Sequence, residues 1–501
     1  MKKLLCLAFT LLLLLGGSFA IAQAEATNWY EVFVYSYSDS DGNGIGDFPG
    51  LLSKLDYIHD MGYDGIWLMP VMPSPSYHKY DVTDYKAVDP LYGTMADFKA
   101  VVARCQELGI RLIIDLPVNH SSTRHPWFLE AVDALKIGRK DHPKVGYYNF
   151  RQEEDKGFVQ LSGTDWYYEE QFAGGQMPDL NLDNPALREE IRGILAFWLI
   201  DVGIDGFRLD AVTSFYTARD QDNIAFLRFM KETCQELKPD SYLVGECWKS
   251  LEQIAAYYDS GIDSFFLFPA AQAEGYIAAS IRSRKPAETF VKYLNQVKAA
   301  MPDRTLAPFL SNHDTGRTVG LVQGRQLPQR VKFAHALLSL MGGHSFTYYG
   351  EEIGMLGSGN DPNKRLGMLW AEDEVTKDPP GVTAREYPYP GVYAQQEDPA
   401  SILNYIKKMN HQRLKMPLIA LGKTEVLQVT EDVFVLKKSL EGDSLYIAVN
   451  CSSKEQREIS LEGDLVLKDV LDAGDAASTA SKAGSSITLL LQPYGIGFLS
   501  P

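Results

Sequence analysis

Two acidic residues close apolar runs that read as neighbouring β-strands. Asp210 ends Gly206-Phe207-Arg208-Leu209-Asp210, and Glu246 ends Tyr242-Leu243-Val244-Gly245-Glu246. Adjacent parallel strands lie about 4.8 Å apart. Splitting a glycosidic bond with retention needs one carboxylic acid to protonate the leaving oxygen and a carboxylate about 5 to 5.5 Å away to attack the anomeric carbon. The pair at residues 210 and 246 suits that chemistry. Arg208, two residues before Asp210, points to the same side of its strand, and a fixed cation there would hold Asp210 ionised. Glu246 has no cation beside it in sequence and is free to keep its proton, which separates the two carboxyl groups into nucleophile and acid. A lone acidic strand end could equally cap a helix or face solvent. Here Asp115, Asn119 and His120 end a third run and His313-Asp314 follow a fourth, so the polar sets form a group.

Positioning such a group requires strands whose ends converge. Short apolar runs alternate with amphipathic stretches through residues 31–349: Glu31 to Tyr35, Gly65 to Leu68, Arg111 to Leu116, Gly206 to Asp210, Tyr242 to Glu246, Ser264 to Phe268, Ala307 to Ser311 and Ser345 to Tyr349. Helical spacing fills the gaps, as at Leu51 to Met61 and Met95 to Leu108. Eight such repeats predict a (β/α)8 TIM barrel, with the polar strand ends on one face. A doubly wound open sheet is the rival, but no Gly-rich phosphate loop follows the first run. The segment 119–184 is too long for an ordinary loop and is rich in Tyr, Trp and Gly, so it reads as an inserted domain over that face. From 416 to 501 the helical period gives way to alternating runs such as Val433-Phe434-Val435-Leu436, which predicts a C-terminal antiparallel β-sandwich. The barrel itself then occupies 25–118 and 185–415.

At the start of the chain, Met1-Lys2-Lys3, the apolar run Leu4 to Leu15, Gly16-Gly17 and Ala22-Gln23-Ala24 have the order of a cleaved export signal, residues 1–24. The run is short for a membrane anchor of about 20 residues, so the expected product is secreted, to the periplasm or medium, with no membrane attachment after cleavage. The net charge of −17 becomes −19 once Lys2 and Lys3 are removed. Nucleic acid and anionic lipid both need a basic footprint, so neither is expected as a partner. A neutral polymer and bound cations are compatible with the charge, and a monomer is expected. Cys105, Cys234, Cys247 and Cys451 are scattered without metal spacing, and free buried thiols are expected. Strand alternation turns Cys247 away from Glu246.

With these residues in view, the chain resembles the α-amylase family of glycoside hydrolases, family 13. Asp115-Leu116-Pro117-Val118-Asn119-His120, Gly206 to Asp210, Gly245-Glu246 and Phe309-Leu310-Ser311-Asn312-His313-Asp314 look like its four signatures in order. Met177-Pro178-Asp179-Leu180-Asn181 is similar to its additional motif late in the inserted domain. The resemblance covers essentially the whole mature chain. It implies Asp210 as nucleophile, Glu246 as acid/base and Asp314 as a third carboxylate gripping sugar hydroxyls. It also implies that Tyr80, His120, Arg208 and His313 line the subsite of the reacting glucose, with Tyr80 stacking on the ring. The implied substrate is an α-glucan, starch or maltodextrin.

A second cluster is Asp39-Ser40-Asp41-Gly42-Asn43-Gly44-Ile45-Gly46-Asp47. Oxygen-bearing side chains at alternate positions, with Gly allowing a tight wrap, suit Ca²⁺, although Gly50 stands where an EF-hand places its bidentate Glu. The family resemblance implies Asp39, Asp41, Asn43, the Ile45 carbonyl and Asp47 as Ca²⁺ ligands; a turn without metal is the alternative. Departures from family patterns bear on specificity. Exo-acting α-glucosidases usually carry Asp three residues before the stacking tyrosine, where this chain has Tyr77, which points to an open cleft and internal cleavage. Thr213-Ser214 replace a common Lys-His pair, Lys79 replaces a commoner Gly, and the Met177 motif lies between oligo-1,6-glucosidase and neopullulanase forms. The expected activity is therefore endo-acting hydrolysis of α-1,4 bonds. An oligo-1,6-glucosidase, α-glucosidase or transglucosylase of the same family is the enzymatic alternative, and a non-catalytic glucan-binding protein the remote one.

Overall fold

A computed structural model describes residues 27–172 and 174–501; the export signal read in residues 1–24 lies outside the described residues. Seven strands form one parallel sheet. Asn28–Val32 pairs on one side with Ser345–Tyr348 and on the other with Gly65–Leu68, followed by Arg111–Leu116, Gly206–Leu209, Tyr242–Gly245 and Ser264–Phe265. Ala307 bridges in parallel to Phe266, and Phe309 to Phe346, so the segment 307–309 is the missing stave that closes the ring. The expected (β/α)8 barrel is present.

Its interior is filled rather than open. Trp29 and Trp67 lie among Ile113, Val244, Phe266 and Phe346, and the Trp29 ring stacks on Tyr242 and Phe346 at 4.9 and 5.6 Å between centroids. Gly65 on the neighbouring strand accommodates that indole: a Cβ there would stand 2.5 Å from the ring. The shell helices follow ordinary chemistry. Met95–Leu108 starts at a reciprocal cap between Thr94 and Asp97, stops at left-handed Gly109, and buries Phe98, Val101, Val102 and Cys105.

Two expected strands are placed differently. The first was expected at Glu31 to Tyr35, but it runs Asn28–Val32, and Val34–Ser36 is a 3-10 turn. All these residues are buried, so apolar character extends past the point where the backbone stops pairing. The sixth, expected at Ser264 to Phe268, ends at Phe265, and Phe268–Ala270 is again a 3-10 turn.

The third stave leads into an excursion holding the helix Pro126–Lys136 and a small antiparallel sheet of Phe150–Arg151, Tyr167–Glu169 and Phe158–Gln160. After the helix Ile402–Lys415, a five-stranded and a three-stranded antiparallel sheet pack face to face over Val433, Val435, Ala448, Ile459 and Leu489. No helix among the described residues is long and apolar enough to cross a membrane. The four cysteines named above are free and buried. Burial pushes the Cys247 thiol up to about 12, which leaves it inert beside the site.

Candidate active site

Arg208 is fully buried at the centre of the polar strand ends. Its Nη1 donates to both oxygens of Asp115 at 2.9 Å and to Asp210 Oδ1 at 2.6 Å. Its Nη2 lies 3.0 Å from Glu246 Oε1, without the alignment of a hydrogen bond. Asp210 and Glu246 thus sit on one guanidinium, on the same side of the barrel wall, as the register of their two strands requires. Ala211 follows Asp210 in a left-handed conformation, φ 46°, and directs its N–H to Glu246 Oε2 at 2.9 Å. A residue with a Cβ held there is strained, and the turn it makes aims both carboxyl groups into the same space.

Three carboxyl groups around one cation cannot all ionise cheaply in a buried setting. Burial, reinforced by the charges of Asp210 and Asp314, pushes Glu246 up to about 8 against the pull of Arg208. Burial likewise raises Asp115, to about 7, opposed chiefly by Arg208. Glu246 therefore holds its proton at neutral pH while Asp210 takes the short, aligned bond from the guanidinium. That is the division of labour a general acid and a nucleophile need.

A second charged group faces them from the far staves. His313 Nδ1 lies 2.6 Å from Glu31 Oε1, and its Nε2 lies 3.0 Å from Asp314 Oδ2 and 2.7 Å from the Tyr80 hydroxyl. Burial alone would lower the imidazole, but Asp314 and Glu31 carry it up to about 9, so it is a cation at neutral pH. Burial would raise Asp314, yet His313 and then Arg365 hold it well below the usual carboxylate range. Arg365 donates to Asp314 Oδ1 at 2.9 Å and to the His313 carbonyl at 3.1 Å. The Tyr80 hydroxyl donates to Asp115 Oδ2 at 2.9 Å. His120 is buried with Nε2 3.3 Å from the Tyr80 carbonyl, and burial lowers its pKa, leaving a neutral ring.

These groups open onto a cleft of about 480 Å³ lined by Tyr80, His120, Asp210, Glu246 and Asp314 together with Trp248, Phe172 and Arg365. Arg208 and His313 lie beneath its floor, against the buried Trp67 ring. All seven residues expected from sequence are therefore brought together. Glu31, Arg365, Trp248 and Phe172 were not foreseen. The available signal for Arg365 was charge balance: Asp314 is only partly exposed, and of the two cations that hold it only His313 is adjacent in sequence. Thr213 and Ser214 also face the cleft. The motif residue Asp179 accepts from Asn119 Nδ2 at 3.1 Å, and its neighbour Leu180 donates to the Asn119 carbonyl at 2.9 Å, so the third strand end fastens the inserted segment over the site.

The Asp39 to Asp47 loop also closes on itself. Carboxylate oxygens of Asp39, Asp41 and Asp47 lie within 4.8 Å of one another. Asn43 Nδ2 donates to Asp41 at 2.9 Å, and the Ile45 N–H donates to Asn43 Oδ1 at 2.7 Å. Asp47 also caps the helix Phe48–Asp60 through the Gly50 N–H at 2.6 Å. Among the described residues no Lys or Arg pairs with these three carboxylates. An all-oxygen cluster of like charges with no cation of its own fits a hard divalent ion such as Ca²⁺.

A family profile described as "Alpha amylase, catalytic domain" matches residues 31–422. The chain belongs to the α-amylase family of glycoside hydrolases. Among solved structures, Eubacterium rectale Amy13B is 39% identical to this α-amylase-family hydrolase and superposes with a TM-score of 0.89, over 95% of this chain and 96% of that one. Alpha-amylase 3 of Dictyoglomus thermophilum is 35% identical across 93% of the hydrolase and 91% of its own length. A glucan 1,6-alpha-glucosidase of Streptococcus pneumoniae is 30% identical across 89% and 94%. One of these relatives is thus named an alpha-amylase and another a glucan 1,6-alpha-glucosidase, so the likeness gives the glycosidase class and leaves the bond open.

Proposed function

We propose that this hydrolase is a secreted, monomeric, endo-acting α-amylase that cleaves internal α-1,4 bonds of starch and maltodextrins with retention. The observation that carries the reaction is the shared guanidinium of Arg208, with Asp210 hydrogen-bonded to it and Glu246 protonated beside it. Glu246 gives its proton to the glycosidic oxygen as Asp210 attacks the anomeric carbon; the C–O bond to the leaving sugar breaks and a glycosyl ester on Asp210 forms. Glu246, now a carboxylate, takes a proton from water. The resulting hydroxide attacks the same carbon, releasing Asp210 and completing hydrolysis. Asp314, held ionised, accepts hydrogen bonds from sugar hydroxyls. Neutral His120 and the Tyr80 ring bound the same subsite, the ring supplying a flat apolar face.

Internal cleavage is supported by two side chains. Tyr77 stands where a pocket-closing Asp would bind a terminal sugar, and its hydroxyl is 3.5 Å from Arg365 Nη1. Trp248, two residues beyond the acid, is 50% exposed and stacks on Phe268 at 4.4 Å. It offers a wide aromatic face in the same cleft as Glu246. The Streptococcus pneumoniae relative favours a second reading, an exo-acting 1,6-glucosidase. The product profile from soluble starch and from a maltoheptaoside blocked at its non-reducing end separates the two. The endo enzyme releases a spread of maltooligosaccharides and cuts the blocked substrate. Glucose as sole product, with the blocked substrate untouched, would make the enzyme exo-acting instead, and release of glucose from α-1,6-linked isomaltooligosaccharides would establish the second reading.

The loop at 39–47 is proposed to hold one Ca²⁺ through Asp39, Asp41, Asn43, the Ile45 carbonyl and Asp47. The ion supplies positive charge that ties this loop to the helix Asp47 caps; it takes no part in bond cleavage. Binding to the folded state alone stabilises by about 2.7 kcal/mol at a hundredfold excess over Kd. Chelation by EGTA is therefore expected to lower the melting midpoint by several degrees, with recovery on adding Ca²⁺ but not Na⁺ (at matched ionic strength). A midpoint indifferent to both treatments removes the metal from the account.

A further inference from the structure

Lys79 has a left-handed backbone, φ 68°, and is buried. Both facts are unfavourable by themselves: the conformation crowds a Cβ, and an ammonium loses its water. The surroundings compensate for both. Lys79 Nζ lies 2.7 Å from Asp89 Oδ2, with the two side chains 2% and 4% exposed, and the ammonium sits 5.5 Å from the centre of the Tyr92 ring. Asp89 in turn accepts the N–H of Leu91 at 2.9 Å and of Ser74 at 3.2 Å. Its own N–H donates to the Val71 carbonyl at 2.8 Å, three residues beyond the second barrel strand. The ion pair thus ties a loop to a rigid strand end. On either side of Lys79 the side chains turn to the site: Tyr77 meets Arg365, His78 lines the cleft, and Tyr80 bonds to Asp115 and His313.

We infer that Lys79 is a positioning residue, whose buried pair with Asp89 fixes the loop that presents Tyr80 and its neighbours to the reacting sugar. This rests on the reading of Tyr80 as the wall of that subsite. Misplacing such a group by about an ångström is enough to slow a reaction by up to about 100-fold. The test is a cycle of four full-length proteins: parent, Lys79→Gly/Asp89→Asn, Tyr80→Ala, and the combination, each assayed on maltodextrin with its melting midpoint recorded. The double variant removes both charges and relieves the backbone, so no unpaired buried ion remains. It is expected to keep its fold and lose roughly 10- to 100-fold in kcat/KM. In the Tyr80→Ala background the same change is expected to cost less than about threefold, because coupled residues do not add. An equal loss in both backgrounds, or no loss in the parent, overturns the inference. Should the double variant be unfolded at assay temperature, Asp89→Asn alone is carried through the same cycle and judged by the same two criteria. An inactive Asp210→Asn alongside an unaffected Lys79 variant overturns only this inference; an active Asp210→Asn overturns the reading beneath it.

Discussion

Replacing Asp210 by Asn is expected to lower kcat/KM on maltodextrin by at least about 10⁴-fold, some 5.5 kcal/mol of transition-state stabilisation. The amide is nearly isosteric but cannot form the ester on which the first half of the reaction depends. Its neighbours make the experiment clean. Arg208 still has Asp115 to bond, at 2.9 Å to each oxygen, so no buried cation is stranded. One negative charge fewer also relieves a cluster in which three carboxyl groups share one guanidinium. The variant should therefore melt no lower than the parent while turning over almost no substrate. Rates within about tenfold of the parent, well short of the loss expected for a nucleophile, would take Asp210 out of that role.

Glu246→Gln is expected to lose about 10²- to 10⁴-fold on maltodextrin, the usual range for a general acid. The loss should shrink on a maltosyl fluoride, whose leaving group needs no proton. The pH profile gives the sharper signature. Because burial raises Glu246 to about 8, and the protonated form is the active one, parent kcat/KM should hold up to that pH and fall above it. Glutamine has no proton to lose, so the variant should show no such limb. The same shift carries a stability cost with a definite sign. Between its ordinary value of 4.5 and about 8 the folded protein keeps a proton on Glu246 that the unfolded chain releases. Stability from this group therefore declines as pH rises through that window. The glutamine variant should gain in melting midpoint over the parent as pH is raised from about 5 to about 8. An alkaline limb that survives in the variant would assign it to another group, with Asp115 the first to examine.

Much of this site was legible in the chain because parallel strands in a barrel point their ends the same way. A polar residue closing an apolar run is then a candidate for one shared face, and Asp115, Asp210, Glu246 and Asp314 all sit at or just beyond such ends. The exact limits of the strands were less legible. Val34-Tyr35-Ser36 continue the buried run after Val32 but fold into a turn; an apolar run reports burial and leaves backbone pairing open. The seventh stave, read at Ala307 to Ser311, shows isolated bridges at Ala307 and Phe309 in place of a continuous strand.

Groups that act across the barrel were out of reach. Glu31 lies 282 positions from His313 and looks like any strand residue until the ring closes. Arg365 comes from an irregular segment with no period to mark it. Lys79 was visible only as an oddity, since neither its positive φ nor its partner at Asp89 is written in local spacing. Geometry supplied the reason for a lysine at that position.

The double-displacement account is tested most directly by the configuration of the sugar at the instant of release. Proton NMR of the reducing-end anomeric signals, followed from the first seconds of maltodextrin hydrolysis, should show the α-anomer appearing first and the β-anomer growing in later by mutarotation. The β-anomer appearing first would mean a single displacement by water, with Asp210 serving as base and no ester on its carboxylate.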